Sequence, residues 1–399
     1  MPDASTSSVP VVVCGAGPVG ICAALELARR QVPCVVVDKN SSPPTDLRAS
    51  TFHPPTLEML EPLGLTAPML AAGLQVPQWQ IRMHASHERA VFDLAVLAQD
   101  TKYPFRLQYE QASFCALGWA QLMNSPLVEF RTATEIISLH QDSSQVRLQT
   151  ADGQVISSQW VIATDGAAST LRGALGLAFE GLTYPETTVL ATTRFPFEAH
   201  LPGLSWVNYV WTDTGTFSLL RVPDRWRVSL YPEAGESVNE ALRPERIQTR
   251  LQAIVPNHDG YAVLECRPYR IHQRILDSYR HGQILFAGDA AHLNSPSGGM
   301  GMNCGIHDAM NLAEKLSRVL DGASDTLLDQ YDRQRRPIAR DEILGQADAN
   351  RRRMQQLDPA WRRAELGRLQ SISKQPAEAR EFLLRSAMIR GLRQAAQIQ

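Results

Sequence analysis

Four residues near the start of the chain have the types and spacing needed to hold the diphosphate and ribose of a dinucleotide. Gly15, Gly17 and Gly20 form a Gly-x-Gly-x-x-Gly pattern, and Asp38 follows it. The first glycine permits a tight turn, the second lets the backbone approach a pyrophosphate, and the third allows a helix to pack closely on a strand. A carboxylate such as that of Asp38 can accept hydrogen bonds from ribose hydroxyls. The pattern predicts a dinucleotide site without choosing between FAD and NAD.

The elements around these residues are those that such a site requires. The apolar run Val11–Cys14 predicts a buried parallel strand, and Ile21–Arg30 has the periodicity of a helix. Cys34–Val37 predicts a second buried strand that ends at the acidic residue. Together they form a β-α-β unit, in which the positive end of the helix dipole and its free N–H groups face the phosphates.

Two later turns carry further polar residues at the ends of predicted strands. Asp165-Gly166 follows the predicted strand Trp160–Ala163, and Gly288-Asp289 follows the strand Gln283–Ala287. The second of these turns leads into a glycine-rich stretch and then into an amphipathic helix, Ile306–Leu320. Its aspartate could bind a polyol chain, and the glycines let the backbone lie against a flat ligand. A helix N-terminus stabilises negative charge, which suits the isoalloxazine ring of a reduced flavin.

The three turns, in this order, resemble those of the class A flavoprotein aromatic hydroxylases, the para-hydroxybenzoate hydroxylase family. The resemblance implies noncovalent FAD, with the first glycine pattern at its ADP portion, the Asp-Gly turn near the pyrophosphate and the Gly-Asp turn at the ribityl chain. Asp38 stands where the family more often has glutamate, and Thr164 where a smaller residue is usual. The cofactor contacts predicted in this way are Gly15, Gly17, Pro18, Gly20, Asp38, Lys39, Arg48, Gln108, Asp165, Gly288, Asp289, Pro296, Gly299, Gly301, Met302 and Asn303.

The resemblance also implies a fold and a reaction. The fold is α/β, an FAD-binding Rossmann-like fold of the glutathione-reductase type with an inserted antiparallel β-sheet substrate domain. We expect residues 9–175 and 271–345 to form the FAD-binding part, 176–270 with part of 75–105 to form the substrate domain, and 346–399 to form a C-terminal helical segment. In the implied reaction NAD(P)H reduces FAD, and a C4a-hydroperoxyflavin made from O2 hydroxylates an aromatic or N-heteroaromatic, phenol-like substrate.

Three other functions are compatible with the same nucleotide-binding pattern. A flavin-dependent halogenase usually carries Trp-x-Trp-x-Ile-Pro, whereas this chain has only Arg225-Trp226-Arg227-Val228. A prenyl-chain reductase shares the fold, and a noncatalytic FAD-containing ligand sensor is a further alternative. The sensor is disfavoured because the glycine-rich stretch from Gly298 to Asn303 is complete.

The sequence names no catalytic base. His53, Tyr209 and Arg221 are candidates for catalysis or for the substrate pocket, the last two because residues 205–232 predict antiparallel strands. Trp211 and Tyr231 are further candidates for the pocket, with core or surface positions as the alternative. His292 and Cys304 lie near the predicted flavin, but packing is the favoured role for both.

Composition excludes several classes of protein. The formal net charge is -2, which gives no electrostatic reason to expect a nucleic-acid partner. The six cysteines show neither metal-ligand spacing nor a disulfide framework. No apolar run reaches membrane-spanning length, and Met1–Ser8 lacks the pattern of a signal peptide. We therefore expect a cytoplasmic monomer or homodimer without a metal. The Arg-rich tail from Asn350 predicts helices with a solvated face, or a helix that binds a partner or a membrane surface.

Overall fold

The computed structural model describes residues 9–45, 48–233 and 235–399. The segment considered for a targeting signal, residues 1–8, lies outside the described residues. The strands are β1 Val9–Cys14, β2 Cys34–Val37, β3 Thr51–Phe52, β4 Leu74–Val76, β5 Gln78–Met83, β6 Arg89–Asp93, β7 Arg106–Gln108, β8 Val128–Arg131, β9 Ile136–Gln141, β10 Val146–Thr150, β11 Val155–Ala163, β12 Glu180–Thr193, β13 Val207–Trp211, β14 Thr216–Val222, β15 Arg225–Leu230, β16 Val263–Ile275, β17 Arg280–His281, β18 Ile284–Phe286 and β19 His292–Leu293.

The helices pack against these strands, and the last four of them form the C-terminal part of the chain. The α-helices are α1 Pro18–Arg29, α2 Pro54–Leu60, α3 Thr66–Ala72, α4 Gln111–Asn124, α5 Thr170–Ala174, α6 Phe197–His200, α7 Val238–Ala241, α8 Pro244–Ile254, α9 Gly301–Leu320, α10 Thr326–Ile338, α11 Gly345–Gln355, α12 Pro359–Lys374, α13 Pro376–Ser386 and α14 Ile389–Gln397. A π-helical segment, Ala339–Leu344, joins α10 to α11. No helix within the described part of the chain has both the length and the apolar character needed to cross a bilayer.

The first sheet contains the predicted β-α-β unit. Its central order is β17-β18-β11-β1-β2-β8, and β1, β2, β8, β11 and β18 run parallel. All four residues of β2 are buried, as expected for a parallel strand covered on both faces. The carboxyl ends of β1, β11 and β18 therefore meet at one edge, which brings together turns that lie far apart in sequence. The strand β11, Val155–Ala163, begins five residues before the predicted Trp160–Ala163.

The second sheet has the order β19-β16-β12-β15-β14-β13-β5-β6. Neighbouring strands are antiparallel, as residues 205–232 predicted, except for the parallel pair of β13 and β5. The parallel pair adds residues 78–93 to the edge of the second sheet, far from its other strands in sequence. A small third sheet has the order β3-β7-β4.

The C-terminal helices cover one face of the second sheet. Leu366, Leu369 and Leu383 are buried in the same apolar cluster as Trp79 and Phe92. Although the tail is rich in arginine, Arg362 is only 1% exposed and donates hydrogen bonds to the carbonyls of Thr212 and Gly215. The tail forms the predicted helices, which have a solvated face and also pack one side into the core.

Candidate functional site

The three glycines of the turn after β1 serve different purposes: two are required by packing within the protein, and one leaves space for a ligand. Gly15 has φ +100°, and a Cβ atom there would lie 2.5 Å from the Thr164 carbonyl oxygen. A Cβ atom on Gly20 would lie 1.8 Å from the Gly15 carbonyl oxygen. A Cβ atom on Gly17 would meet nothing within 4 Å. Gly17 immediately precedes Pro18, the first residue of α1, so the space that it leaves open lies at a helix N-terminus.

Asp38 holds this turn from the end of β2. One carboxylate oxygen accepts the N–H of Ala16 at 2.7 Å, and the other accepts the backbone N–H of Asn40 at 2.8 Å. The oxygen that accepts the Asn40 N–H also accepts the Asn40 side-chain amide, at 2.9 Å. The oxygen that accepts the Ala16 N–H keeps a lone pair that can accept a hydrogen bond from a ligand. Lys39, the next residue, is exposed at the surface.

The Asp-Gly turn after β11 lies directly against the glycine turn. The hydroxyl of Thr164 donates to the Gly15 carbonyl oxygen at 2.9 Å, which explains why threonine is accommodated there. One oxygen of Asp165 accepts the N–H of Leu171 at 3.1 Å, while the other is buried without a hydrogen-bond partner. Burial raises the pKa of this carboxyl. Asp165 therefore retains an unused acceptor beside the turn.

The Gly-Asp turn after β18 packs against both α1 and α9. Cβ atoms on Gly288 and on Gly305 would lie 2.7 Å and 2.6 Å from the same Val19 methyl group. This close packing fixes the turn, while the side chain of Asp289 is exposed. Arg172 donates to the Ala290 carbonyl oxygen at 3.0 Å and links this turn to the Asp-Gly turn.

Asn303 fixes the glycine-rich stretch that precedes α9. Its amide nitrogen donates to the carbonyls of Thr51, at 2.8 Å, and Gly299, at 2.7 Å. Its amide oxygen accepts the backbone N–H of His53 at 2.9 Å. Gly298 and Gly299 both have positive φ angles, of +100° and +67°. The remaining residues predicted in this stretch are Pro296, which is exposed, and Gly301 and Met302, which are half-buried in the first turn of α9.

Arg48 and Gln108 occupy different environments. Although solvent reaches Asp289, the surrounding chain desolvates its carboxyl and so raises its pKa, and the nearby His292 and Arg48 oppose that shift. Gln108 is fully buried, and its amide is engaged by Ser50, at 3.1 Å, and Thr51, at 3.0 Å. Arg48 thus lies beside the cleft, which is the space between the three glycine turns and the second sheet. The amide of Gln108 instead holds the segment that contains β3.

The second sheet presents polar side chains toward the glycine-rich stretch. Tyr209 and Tyr231 are half-buried on this face, and burial raises the pKa of Tyr231 to about 12. His53 is fully buried, and its Nε2 lies 3.0 Å from the Gly298 carbonyl oxygen. Burial and the nearby Arg106 lower the pKa of His53 to about 3, so the ring is neutral and Nε2 is the donor. These residues connect the sheet to the stretch that precedes α9.

Two of the expected pocket residues lie elsewhere. Arg221 pairs with Trp226 across β14 and β15, and its guanidinium lies 5.7 Å from the centre of that ring. Since side chains alternate along a strand, this is the face opposite Tyr209. Trp211 is completely buried and donates to the Arg353 carbonyl oxygen under the C-terminal helices. The structure therefore places neither residue with Tyr209 and His53.

Sequence reasoning missed two arginines that flank this cleft. Arg106, in β7, and Arg227, in β15, are 4% and 5% exposed. Arg227 donates to the carbonyl oxygen of Arg48. Arg106 directly precedes the pair Leu107-Gln108, but no local motif marks it, because its importance depends on the pairing of β7 with β3 and on its contact with the second sheet.

A buried ionic network lies behind the Gly-Asp turn. Asp308 accepts hydrogen bonds from His292 and Arg335, both at 2.7 Å, and from the N–H of Gly288 at 3.3 Å. Burial would lower the pKa of His292, but Cys304 and Asp308 hold it well above its usual value. The side-chain atoms of His292, Cys304 and Asp308 that could bind a metal lie within 4.8 Å of one another. However, Arg335 already pairs with Asp308 and approaches the Cys304 sulfur at 3.5 Å. This arrangement is an ion-pair network rather than a cation site.

Comparisons with known proteins give matches that span nearly the whole chain. Residues 8–344 match a family model described as an FAD binding domain. The chain is 34% identical over 391 residues to para-nitrophenol 4-monooxygenase of Pseudomonas sp. strain WBC-3, covering 96% of each protein. It is 30% identical over 379 residues to 6-hydroxy-3-succinoylpyridine 3-monooxygenase of Pseudomonas putida strain S16, covering 94% of this chain and 96% of that protein.

Solved structures support the same relationship. The crystal structure of p-nitrophenol 4-monooxygenase from Pseudomonas putida DLL-E4 superimposes with a TM-score of 0.89 and 33% identity, covering 96% of this chain and 98% of that one. At 21% identity, a flavin-dependent monooxygenase solved with FAD and substrate still superimposes with a TM-score of 0.78, covering 99% of this chain and 72% of that one. The second likeness shows the fold alone.

Proposed function

Because this chain belongs to the FAD binding domain family of flavoprotein aromatic hydroxylases, we propose that it hydroxylates a phenol-like aromatic or N-heteroaromatic substrate with NAD(P)H and O2. The observation that carries this proposal is that three glycine turns meet at one edge of the first sheet, opposite the polar surface of the second sheet. Two full-length relatives, named for a nitrophenol and a hydroxypyridine, share a hydroxylated aromatic ring as substrate.

The residues of the cleft fit FAD. The open space at Gly17 would take the pyrophosphate at the N-terminus of α1, with Arg48 nearby, and Asp38 would accept the ribose hydroxyls. The free oxygen of Asp165 and the exposed carboxylate of Asp289 are available for hydrogen bonds from the cofactor's polar middle portion. The glycine-rich stretch and the N-terminus of α9 would lie against the flavin ring.

Bound FAD would supply the redox chemistry, accepting hydride from NAD(P)H and, after reaction of its C4a position with O2, passing one oxygen atom to the substrate. The chain's own contribution is placement and exclusion of water. Asn303 fixes the backbone against which the ring would lie. The second sheet would form the wall on the opposite side, with the C-terminal helices packed beside Tyr209 on the same face.

The proposal also covers how the chain divides into an FAD-binding unit and a substrate unit. We infer that the first sheet and its helices form an FAD-binding unit of the glutathione-reductase type, made of residues 9–175 and 271–345. Residues 176–270, with β5 and β6, would form the substrate unit, because their strands share one sheet. No observation favours the halogenase, reductase or sensor alternatives over hydroxylation.

The ribose role of Asp38 gives a direct prediction. We expect Asp38→Ala to weaken FAD binding by about 10- to 100-fold, because charge-assisted hydrogen bonds contribute roughly 1.5–3 kcal/mol. Titration of apoprotein with FAD, followed by flavin fluorescence, measures the change. Asp38→Glu is the matched control, since it keeps the carboxylate and should retain most of the affinity. Equal affinities for all three proteins would remove the ribose role.

The overall proposal is tested with the purified holoenzyme. We expect it to release FAD on heating and to consume NAD(P)H faster in the presence of particular phenols or hydroxypyridines. With ¹⁸O-labelled O2, one labelled oxygen atom should enter the product. Release of FMN, or a product without the label, would contradict the proposal.

A further inference from the structure

Arg106 is a buried cation where the third sheet meets the second sheet. It lies in β7, beside β3 and β4, and only 4% of its surface is exposed. Its guanidinium carbon is 5.0 Å from the centre of the Trp79 ring, and Tyr209 approaches the same ring edge-on at 6.0 Å. Burial lowers the pKa of Arg106 and Tyr209 opposes that shift, but an arginine remains charged at any working pH.

This cation has no carboxylate partner among the residues that the structure describes. Its Nε atom is buried without a hydrogen-bond acceptor. The other buried arginines among the described residues have partners within the chain: Arg335 pairs with Asp308, and Arg227 lies near Glu110 and Glu265. Arg82, Arg172 and Arg362 donate to backbone carbonyls instead. An unpaired buried charge is costly to a folded protein. Arg106 combines the lack of an acidic partner with a buried Nε that has no acceptor, and this combination indicates that an anion from outside the chain completes the site.

The neighbours of Arg106 define where that anion would lie. His53 is neutral, with Nε2 donating to the Gly298 carbonyl, so its unpartnered Nδ1 is an acceptor and supplies no negative charge. On the facing sheet Tyr209 lies beside the guanidinium, and Tyr231 lies next to Tyr209. The groups facing Arg106 are thus an imidazole and phenolic hydroxyls, and none of the described ones is a carboxylate. They lie between the glycine-rich stretch and the second sheet, where the proposed function puts the substrate.

We propose that Arg106 is the counter-ion for an anionic oxygen on the substrate ring, so that the enzyme binds the ionised phenolate or hydroxypyridine anion in preference to the neutral form. This inference rests on the proposed function and names the residue that selects its substrate. The substrate enters already ionised, and its proton stays in solution. An ionised oxygen also makes the ring more electron-rich, as transfer of an electrophilic oxygen atom requires.

The test is binding of 4-nitrophenol to holoenzyme without NAD(P)H, since nitrophenolate and nitrophenol have different absorption spectra. At one pH unit below the phenol's own pKa, we expect the bound ligand to show the nitrophenolate spectrum. The dissociation constant should rise about tenfold for each further unit of pH decrease, because only the anion binds. Binding of the neutral form, or failure of nitrophenolate to bind at any pH, would overturn the inference.

Variants locate the effect. Arg106→Met should weaken nitrophenolate binding by about 10- to 100-fold, whereas Arg106→Lys, which keeps the charge, should lose less. Arg221→Met, on the opposite face of the second sheet, is the matched control and should bind like the wild type. Flavin absorbance and the thermal midpoint confirm folding of each variant. If Arg106→Met binds nitrophenolate as tightly as Arg221→Met does, Arg106 is not the counter-ion.

The two levels of the proposal fail separately. A wild-type enzyme that inserts labelled oxygen into a phenol yet binds the neutral nitrophenol keeps its proposed function and loses this inference. An enzyme that binds nitrophenolate through Arg106 but inserts no labelled oxygen into any phenol or hydroxypyridine loses the proposed function.

Discussion

Replacing Asp308 with alanine is expected to lower the free energy of unfolding by about 3–5 kcal/mol, because it leaves the buried charges of His292 and Arg335 without their anion. The side chains of Asp308 and Arg335 are 0% and 1% exposed, so water cannot replace the lost contacts. The substitution also removes the acceptor of the Gly288 N–H, and we expect weaker retention of FAD as a second effect. Urea unfolding of the apoprotein measures the first effect and an FAD titration measures the second.

A surface pair provides the control. Asp341 pairs with Arg340, and their side chains are 59% and 56% exposed. Asp341→Ala should change stability little, since solvent screens such pairs. If Asp308→Ala unfolds at the same urea concentration as Asp341→Ala, the network behind the Gly-Asp turn does not stabilise the protein as its geometry indicates.

Gly17→Val should nearly abolish FAD binding while leaving the apoprotein as stable as the wild type. The protein itself has room for a side chain there, but the side chain would fill the space proposed for the pyrophosphate. Loss of two charge-assisted hydrogen bonds, roughly 3 kcal/mol or more in total, corresponds to at least about a 100-fold loss of affinity. FAD titration and urea unfolding of the apoprotein separate the two quantities.

Substitutions at two other glycines serve as comparisons for Gly17→Val. Gly367, in α12, is also open around its Cβ position, so Gly367→Val should retain normal FAD affinity. Gly20→Ala should instead disrupt folding, because its Cβ would lie 1.8 Å from a backbone oxygen that cannot move away easily. A Gly17→Val protein that keeps wild-type FAD affinity would mean that the phosphate does not approach this turn.

The sequence by itself determined the local units. A buried strand, a glycine turn and a helix follow one another within residues 9–29, and their signals are local: apolar runs, glycine spacing and helical periodicity. The Asp-Gly and Gly-Asp turns were found for the same reason, since each follows directly from its own strand. The order of the three turns then indicated the family, which the comparisons show.

Only the tertiary structure decided which side chains share the cleft. Tyr209 faces it and Arg221 does not, because a strand's two faces are distinguished by register against its neighbours rather than by composition. Arg106 meets Trp79 only because β13 pairs in parallel with β5 and so adds that strand to the second sheet. Asn303 bonds to Thr51, about 250 residues away in sequence. Such contacts depend on how strands and turns assemble in space, and no local pattern of residues encodes them.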